Sequence, residues 1–168
     1  MQQSKHPWYA IRVKPKREKT VHDSLTAKGY ESFLPLYLSR RKYGERFKNF
    51  HLPLFAGYLF CRFDAADRLP VLKTESLLYI LTDGTQLISI PDPEIATLQV
   101  AVESKLSIEP HPFLNVGDRV NIAEGPLRDH SGILLQIKDG HRLVISITML
   151  QRSVAVQIDR NWVRPIQP

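Results

Sequence analysis

The strongest constraint on this chain is a change of hydrophobic period partway along it. Before residue 104, strand-like runs alternate with helical spacings; after residue 113 the period is two almost throughout. Trp8 to Val13 (W-Y-A-I-R-V) is rich in aromatic and β-branched residues, which suit a half-buried strand. Pro15 marks a helix start and Gly29 a stop, with Val21 and Leu25 on one face between them. A second strand-like run over Glu31 to Arg41 is interrupted by Pro35, which places it at an edge or a bulge. Tyr43-Gly44-Glu45 turns the chain into a returning strand, giving a hairpin with Arg40, Arg41, Lys42, Arg46 and Lys48 near its tip. Leu54 to Phe63 is the most apolar run of this half and predicts a central strand. Strict alternation along it sets Phe55 on one face and Tyr58 with Phe60 on the other. Asp64 to Glu75 reads as a short helix with Asp64 and Asp67 as caps, and Leu77 to Leu81 as a strand. A helix follows from Asp92, its apolar face being Ile95, Leu98 and Val102. The first half is therefore an α+β domain, an antiparallel sheet flanked by helices.

Ser104 to Phe113 carries Pro110 and Pro112 and little to bury, so it reads as a linker. Beyond it Val120 and Ile122 alternate with polar residues, as do Ile133, Leu135 and Ile137, and Val154, Val156 and Ile158. Gly117-Asp118, Gly125-Pro126, Gly132 and Asp139-Gly140 supply turns. Short strands at such spacing close most simply into a small barrel, which removes exposed edges. The expected organisation is a domain over 1–103, a linker over 104–113 and a small all-β domain over 114–168.

The formal charge of +6 favours polyanionic neighbours, and its excess lies in the first half. The single cysteine, Cys61, cannot form an internal disulfide, and its apolar surroundings make it a buried structural thiol. The six histidines never take a metal-binding spacing, and no Gly-rich phosphate loop or nucleophile elbow occurs. Neither a cofactor, a metal nor a catalytic residue is therefore expected, and the chain reads as a non-enzyme. The opening Met1-Gln2-Gln3-Ser4-Lys5-His6 lacks the apolar core of a leader, and no run approaches the roughly 18 apolar residues of a membrane helix. A cytoplasmic location is the expectation.

Trp8-Tyr9, Lys14-Pro15, Glu18 and the run Leu54-Phe55-Ala56-Gly57-Tyr58-Leu59-Phe60 resemble the N-terminal domain of NusG-type transcription factors. That domain opens with a Trp-Tyr strand and carries a Phe-Pro-Gly-Tyr-Val core strand; Ala56 stands here where Pro is usual. In the second half, Val116-Gly117-Asp118-Arg119-Val120, Gly125-Pro126-Leu127 and Gly132-Ile133 look like a KOW motif, and Val144 to Ile158 is similar to the rest of the NusG KOW domain. The likeness runs in order over nearly the whole chain. It implies an SH3-like KOW barrel for the second domain.

The resemblance also implies a mode of action. An apolar concavity of the first domain grips the clamp helices of the RNA polymerase β′ subunit, and the matching residues are Trp8, Phe55, Tyr58 and Phe60. Bridging the polymerase cleft from there favours the active, processive state. Relatives of the RfaH kind also touch the non-template DNA strand with a basic surface, for which Lys14, Lys16, Arg17, Arg40, Arg41 and Arg46 are candidates by charge. The family's loop between the last strands meets a small-subunit ribosomal protein or Rho; the matching positions are Met149, Leu150 and Arg152. Leu150 stands where Phe is frequent and Gln151 where Gly is usual, changes that bear on Rho more than on the fold.

Some relatives refold the second domain into a helical hairpin. Here Leu143 to Thr148 and Val154 to Ile158 are largely β-branched, so a stable β domain is expected. The basic opening R-V-K-P-K-R-E-K, the basic hairpin and the altered loop favour an operon-specialised, RfaH-like or UpxY-like antitermination paralogue, acting as a monomer away from membranes. A housekeeping factor coupling polymerase to Rho or the ribosome is the nearest alternative. A KOW-containing ribosomal RNA-binding protein is the alternative of another class.

Overall fold

A computed structural model describes residues 5–114, 116–137 and 139–166. Residues 1–4, part of the opening segment weighed above as a leader, lie outside them. The chain sorts into two compact units. The first takes residues through Leu36 together with Phe55–Asp92, and the second takes Tyr37–Leu54 and everything from Pro93 on.

The first unit holds β1 (Trp8–Val13), α1 (Glu18–Ala27) and β2 (Glu31–Phe33). After the excursion of β3 (Leu36–Tyr43) and β4 (Arg46–Pro53) through the second unit, it resumes with β5 (Tyr58–Arg62), α2 (Leu69–Leu72), β6 (Leu77–Ile80) and β7 (Ser89–Ile90). The strand order is β2-β5-β1-β6, and β7 also pairs with β1. The pairings are antiparallel, Ala10 facing Phe60 and Arg12 facing Tyr58. Odd-numbered residues of β1 and β5 point to one face, where Tyr9, Ile11, Val13, Leu59 and Cys61 pack against Val21 and Leu25 of α1 and Val71 of α2. Both helices of this unit cover that face.

Two sequence expectations are corrected here. The helix expected from Pro15 begins at Glu18, because Pro15 and Lys16 instead occupy a tight turn closed by the Arg17 N–H donating to the Lys14 carbonyl at 3.0 Å. Lys16 takes φ +64, the positive value that the third position of a type II turn requires. Pro35 breaks the expected second strand in two, since it offers no N–H to a ladder, and β2 ends at Phe33.

The second unit contains the hairpin β3–β4, α3 (Asp92–Glu103) from Pro93 on, and an antiparallel sheet of β8 (Ile108–His111), β9 (Arg119–Ile122), β10 (Ser131–Ile137), β11 (Gly140–Ile147), β12 (Arg152–Ile158) and β13 (Val163–Pro165). The sheet runs β13-β9-β10-β11-β12-β8. Its ladder has two ends, β13 and β8, so the closed ring expected from the strand spacing is not completed by pairing among the described residues. The period-two reading survives: Val120, Ile122, Ile133, Val154, Val156 and Ile158 are buried. Ile137, at the far end of β10, is exposed.

Ile108–His111, inside 104–113, pairs with Ser153–Val156 of β12, and its two-proline neighbourhood is tolerated because β8 is an edge strand. Within the second unit, Glu94 of α3 accepts hydrogen bonds from the Thr148 N–H at 3.2 Å and hydroxyl at 3.1 Å. Thr97 Oγ1 lies 2.9 Å from His130 Nδ1. Those bonds join residues far apart in sequence, so local periodicity carried no sign of them.

Candidate protein-docking face and basic surfaces

The even-numbered face of the first unit's sheet carries the aromatic residues that the sequence singled out. Trp8 and Phe60 project to it by alternation, and Phe33, opposite Phe60 on β2, stands between them. Trp8 and Phe33 meet edge-on at 6.4 Å between ring centroids, Phe33 and Phe60 at 6.1 Å, and Phe55 and Phe60 at 5.7 Å. Phe55 thus joins the same cluster, against the strict-alternation reading. The reason is local: β5 begins only at Tyr58, and the chain turns over Phe55 to Gly57, with the Tyr58 N–H donating to the Phe55 carbonyl at 2.9 Å. Gly57 takes φ +85, a value that glycine adopts without steric cost. Its N–H donates to Glu18 Oε1 at 3.1 Å. Glu18, buried at the start of α1, therefore fixes the turn that delivers Phe55.

Trp8, Phe55 and Phe60 are buried in the chain, at 2%, 1% and 0% exposure, whereas Tyr58 and Phe33 are half-buried. The rings thus divide into a sealed floor and a partly accessible rim. Two arginines unmarked by motif complete the face. Arg12 places its guanidinium 4.8 Å from the Tyr58 ring centre, and Arg62 lies 4.7 Å from that of Trp8. Arg62 is also 3.6 Å from both Glu31 and Asp92 and donates to the His6 carbonyl at 3.1 Å. The available signal was parity: Arg12 and Arg62 fall on the even face with Trp8 and Tyr58. Such a face offers apolar and cation–π contact.

The basic candidates form two sets. Lys14, Lys16 and Arg17 are exposed in the turn between β1 and α1 of the first unit. Arg40, Arg41 and Arg46 are exposed on the hairpin of the second. Of the loop candidates, Leu150 is buried at 9%, Met149 is half-buried and Arg152 is exposed. Gln151 takes φ +52, the left-handed conformation that glycine would fill at that position, and its side chain donates to the Thr148 carbonyl at 2.8 Å.

Cys61 is fully buried in β5. Burial, with Glu31 adding to it, pushes its thiol up to about 12. The folded value exceeds the roughly 8.5 of an unfolded thiol, so its contribution to stability is complete below that pH and fades as pH climbs toward the folded value. Native protein at pH 8 is expected to resist a thiol reagent over hours and to react at once in guanidinium. Labelling of the native protein at the rate of a free thiol would show that β5 opens.

Asp64 caps the short turn after β5 by accepting from the Ala66 N–H at 3.0 Å, as capping would have it. Among the described residues no helix is long and apolar enough to cross a membrane.

Residues 6–99 match the family model described as "Transcription termination factor nusG". Among solved structures, the chain is similar to Thermotoga maritima NusG ("Domain interaction in Thermotoga maritima NusG"), with TM-score 0.58 and 19% identity over 96% of this chain and 97% of that one. A chain of the MjSpt4:Spt5 complex in conformation B aligns with TM-score 0.33 and 14% identity over 96% of this chain and 97% of that one. No curated protein sequence matches. The first of these likenesses concerns the fold; the family match spans more than half of the residues and includes Trp8, Glu18 and the Phe55 to Phe60 segment. On that ground the chain belongs to the NusG family of transcription factors.

Proposed function

We propose that this chain rides on RNA polymerase as an elongation and antitermination factor, docking on the β′ clamp helices through the even-numbered face of its first unit. The observation that carries the reading is the half-buried pair Phe33 and Tyr58, which rims a sealed floor of Trp8, Phe55 and Phe60 on the sheet face opposite α1 and α2. Large aromatic residues anchor interfaces out of proportion to their area. The activity is adhesion: holding the clamp closed favours the processive state, and no bond is made or broken by the factor. The exposed cations of the β1–α1 turn and of the hairpin meet the phosphates of nucleic acid displaced nearby, including non-template DNA. The sheet of the second unit serves as a KOW domain, and its loop meets a small-subunit ribosomal protein or Rho through Met149 and Arg152, with Leu150 supporting from inside. The basic opening, the basic hairpin and the changed loop favour an operon-specialised role.

The test is retention on immobilised β′ clamp helices. Wild type is expected to be held, and Tyr58→Ala to bind about 30-fold more weakly, the scale of a hot-spot residue near 2 kcal/mol. Tyr58 is suited to the experiment because it is half-buried, so its loss leaves the core in place. Undiminished retention of the variant would remove the rim from the docking site.

A further inference from the structure

We propose that Arg12 reads a carboxylate on the docking partner: an aspartate or glutamate of the seated helix enters between Tyr58 and Tyr79 and pairs with the guanidinium. The inference rests on the reading that this sheet face docks on a helical protein surface, and it adds the charge that the partner presents. Antiparallel pairing sets Arg12 of β1 opposite Tyr58 of β5 on one side and Tyr79 of β6 on the other. Residues directly opposite share a face, so the three side chains form one row across the sheet. This row is the open end of the face. Trp8, Ala10 and Phe60, in the rows behind it, are sealed, whereas Arg12 and Tyr58 are half-buried and Tyr79 is 49% exposed. The register shifts between Arg12 and Val13, where β6 carries the extra residue Leu78. That bulge turns Leu77 and Ile80 to the core and leaves Leu78 exposed beside Tyr79.

The two arginines of the face differ in what neutralises them. Arg62 has both Glu31 and Asp92 at 3.6 Å, so its charge is met within the chain. Arg12 makes no ion pair among the described residues. Its guanidinium lies instead against the Tyr58 ring, 4.8 Å from the centre, and over the backbone of Gly57. A Cβ at Gly57 would come within 2.8 Å of Arg12 Cζ, so the absent side chain is what lets the guanidinium settle there. Held by ring and backbone, the planar fork loses little freedom when it pairs. A protein surface that covers the neighbouring rings also strips water from this cation, a cost that an opposing charge offsets. One cation between two rings fits one carboxylate, which a guanidinium grips through two parallel hydrogen bonds. A phosphate backbone repeats its charge at every nucleotide and calls for a run of cations. This face does not offer one, since its other arginine is already neutralised.

The test uses the full chain against immobilised β′ clamp helices, native and with each Asp or Glu changed singly to Lys. On native helices Arg12→Gln is expected to bind about tenfold more weakly than wild type, and Arg12→Glu roughly a hundredfold, with far-UV signal and urea midpoint unchanged. Arg12→Lys recovers only part of the loss, because an ammonium keeps the charge without the fork. One of the helix reversals is expected to repel the wild-type factor and to bind Arg12→Glu at least about tenfold better than the native helices do. Native helices that hold wild type, Arg12→Gln and Arg12→Glu alike would overturn the carboxylate reading while leaving docking in place. A loss that no helix reversal rescues would overturn it too, since that is the behaviour of a residue that only props up Tyr58. The reversals tested against the wild-type factor depend on no variant of it folding, and tolerance of every one would count equally against the pairing. Native helices that fail to hold even wild type would overturn the docking reading along with this one.

Discussion

Phe60→Ala is expected to lose about 3–5 kcal/mol of stability, the range for emptying a buried aromatic site. Phe60 lies at the centre of β5, flanked by Ala10 on β1 and Phe33 on β2, and is fully buried. Its ring meets Phe55 edge-on and Phe33 at a tilt, so truncation removes two aromatic contacts as well as apolar burial. The strands on either side are held by backbone ladders and cannot collapse into the space, which places the cost toward the upper end. Urea unfolding with hydrogen exchange read over β1 and β5 would show it. A cost below about 1 kcal/mol would mean that the ring is not part of a packed floor. The result bears directly on function: weak polymerase binding by this variant would report loss of fold, whereas weak binding by Tyr58→Ala reports loss of contact.

The second large effect is expected in the other unit. A Cβ added at Gly132 would sit 2.6 Å from the Val144 backbone carbonyl oxygen and 3.0 Å from two atoms of the Leu143 side chain. Gly132 is buried in β10, facing Val120 of β9, while the next residue, Ile133, pairs with both Arg119 and Val144. The obstructing oxygen belongs to the main chain and cannot rotate away as a side-chain end would. Gly132→Ala is therefore expected to cost about 3 kcal/mol, the top of the usual overpacking range, with protection lost first across β10 and β11. Wild-type stability in the variant would show that the two strands separate easily at this point. Space, and not backbone conformation, is what a side chain at position 132 would lack.

The fold was legible where local rules decide it. W-Y-A-I-R-V became β1, and the alternating Val154, Val156 and Ile158 lie buried in β12. What was missed depended on backbone events shorter than a period or on contacts between distant residues. Strict alternation puts Phe55 on the wrong face because a turn at Gly57 resets the count before β5 begins. Pro15 looks like a helix start because Pro at the second position of a tight turn satisfies the same φ. Edge strand β8 hid inside a proline-bearing stretch because an edge needs only one partner, and that partner, β12, lies far along the chain. Arg12 and Arg62 carried no motif; only their parity pointed to the aromatic face. Leu150, which the resemblance places in a partner-binding loop, is buried by packing that local sequence does not reveal.

The sealed position of Cys61 has a practical consequence. It is the sole cysteine of the chain, so no native sulfur needs to be engineered out before a spin label or photo-crosslinker is attached. Asn49→Cys, on an exposed position of β4, would tether a reporter at one defined point of the hairpin. Whatever macromolecule approaches that point in a working transcription complex could then be trapped and identified by its mass.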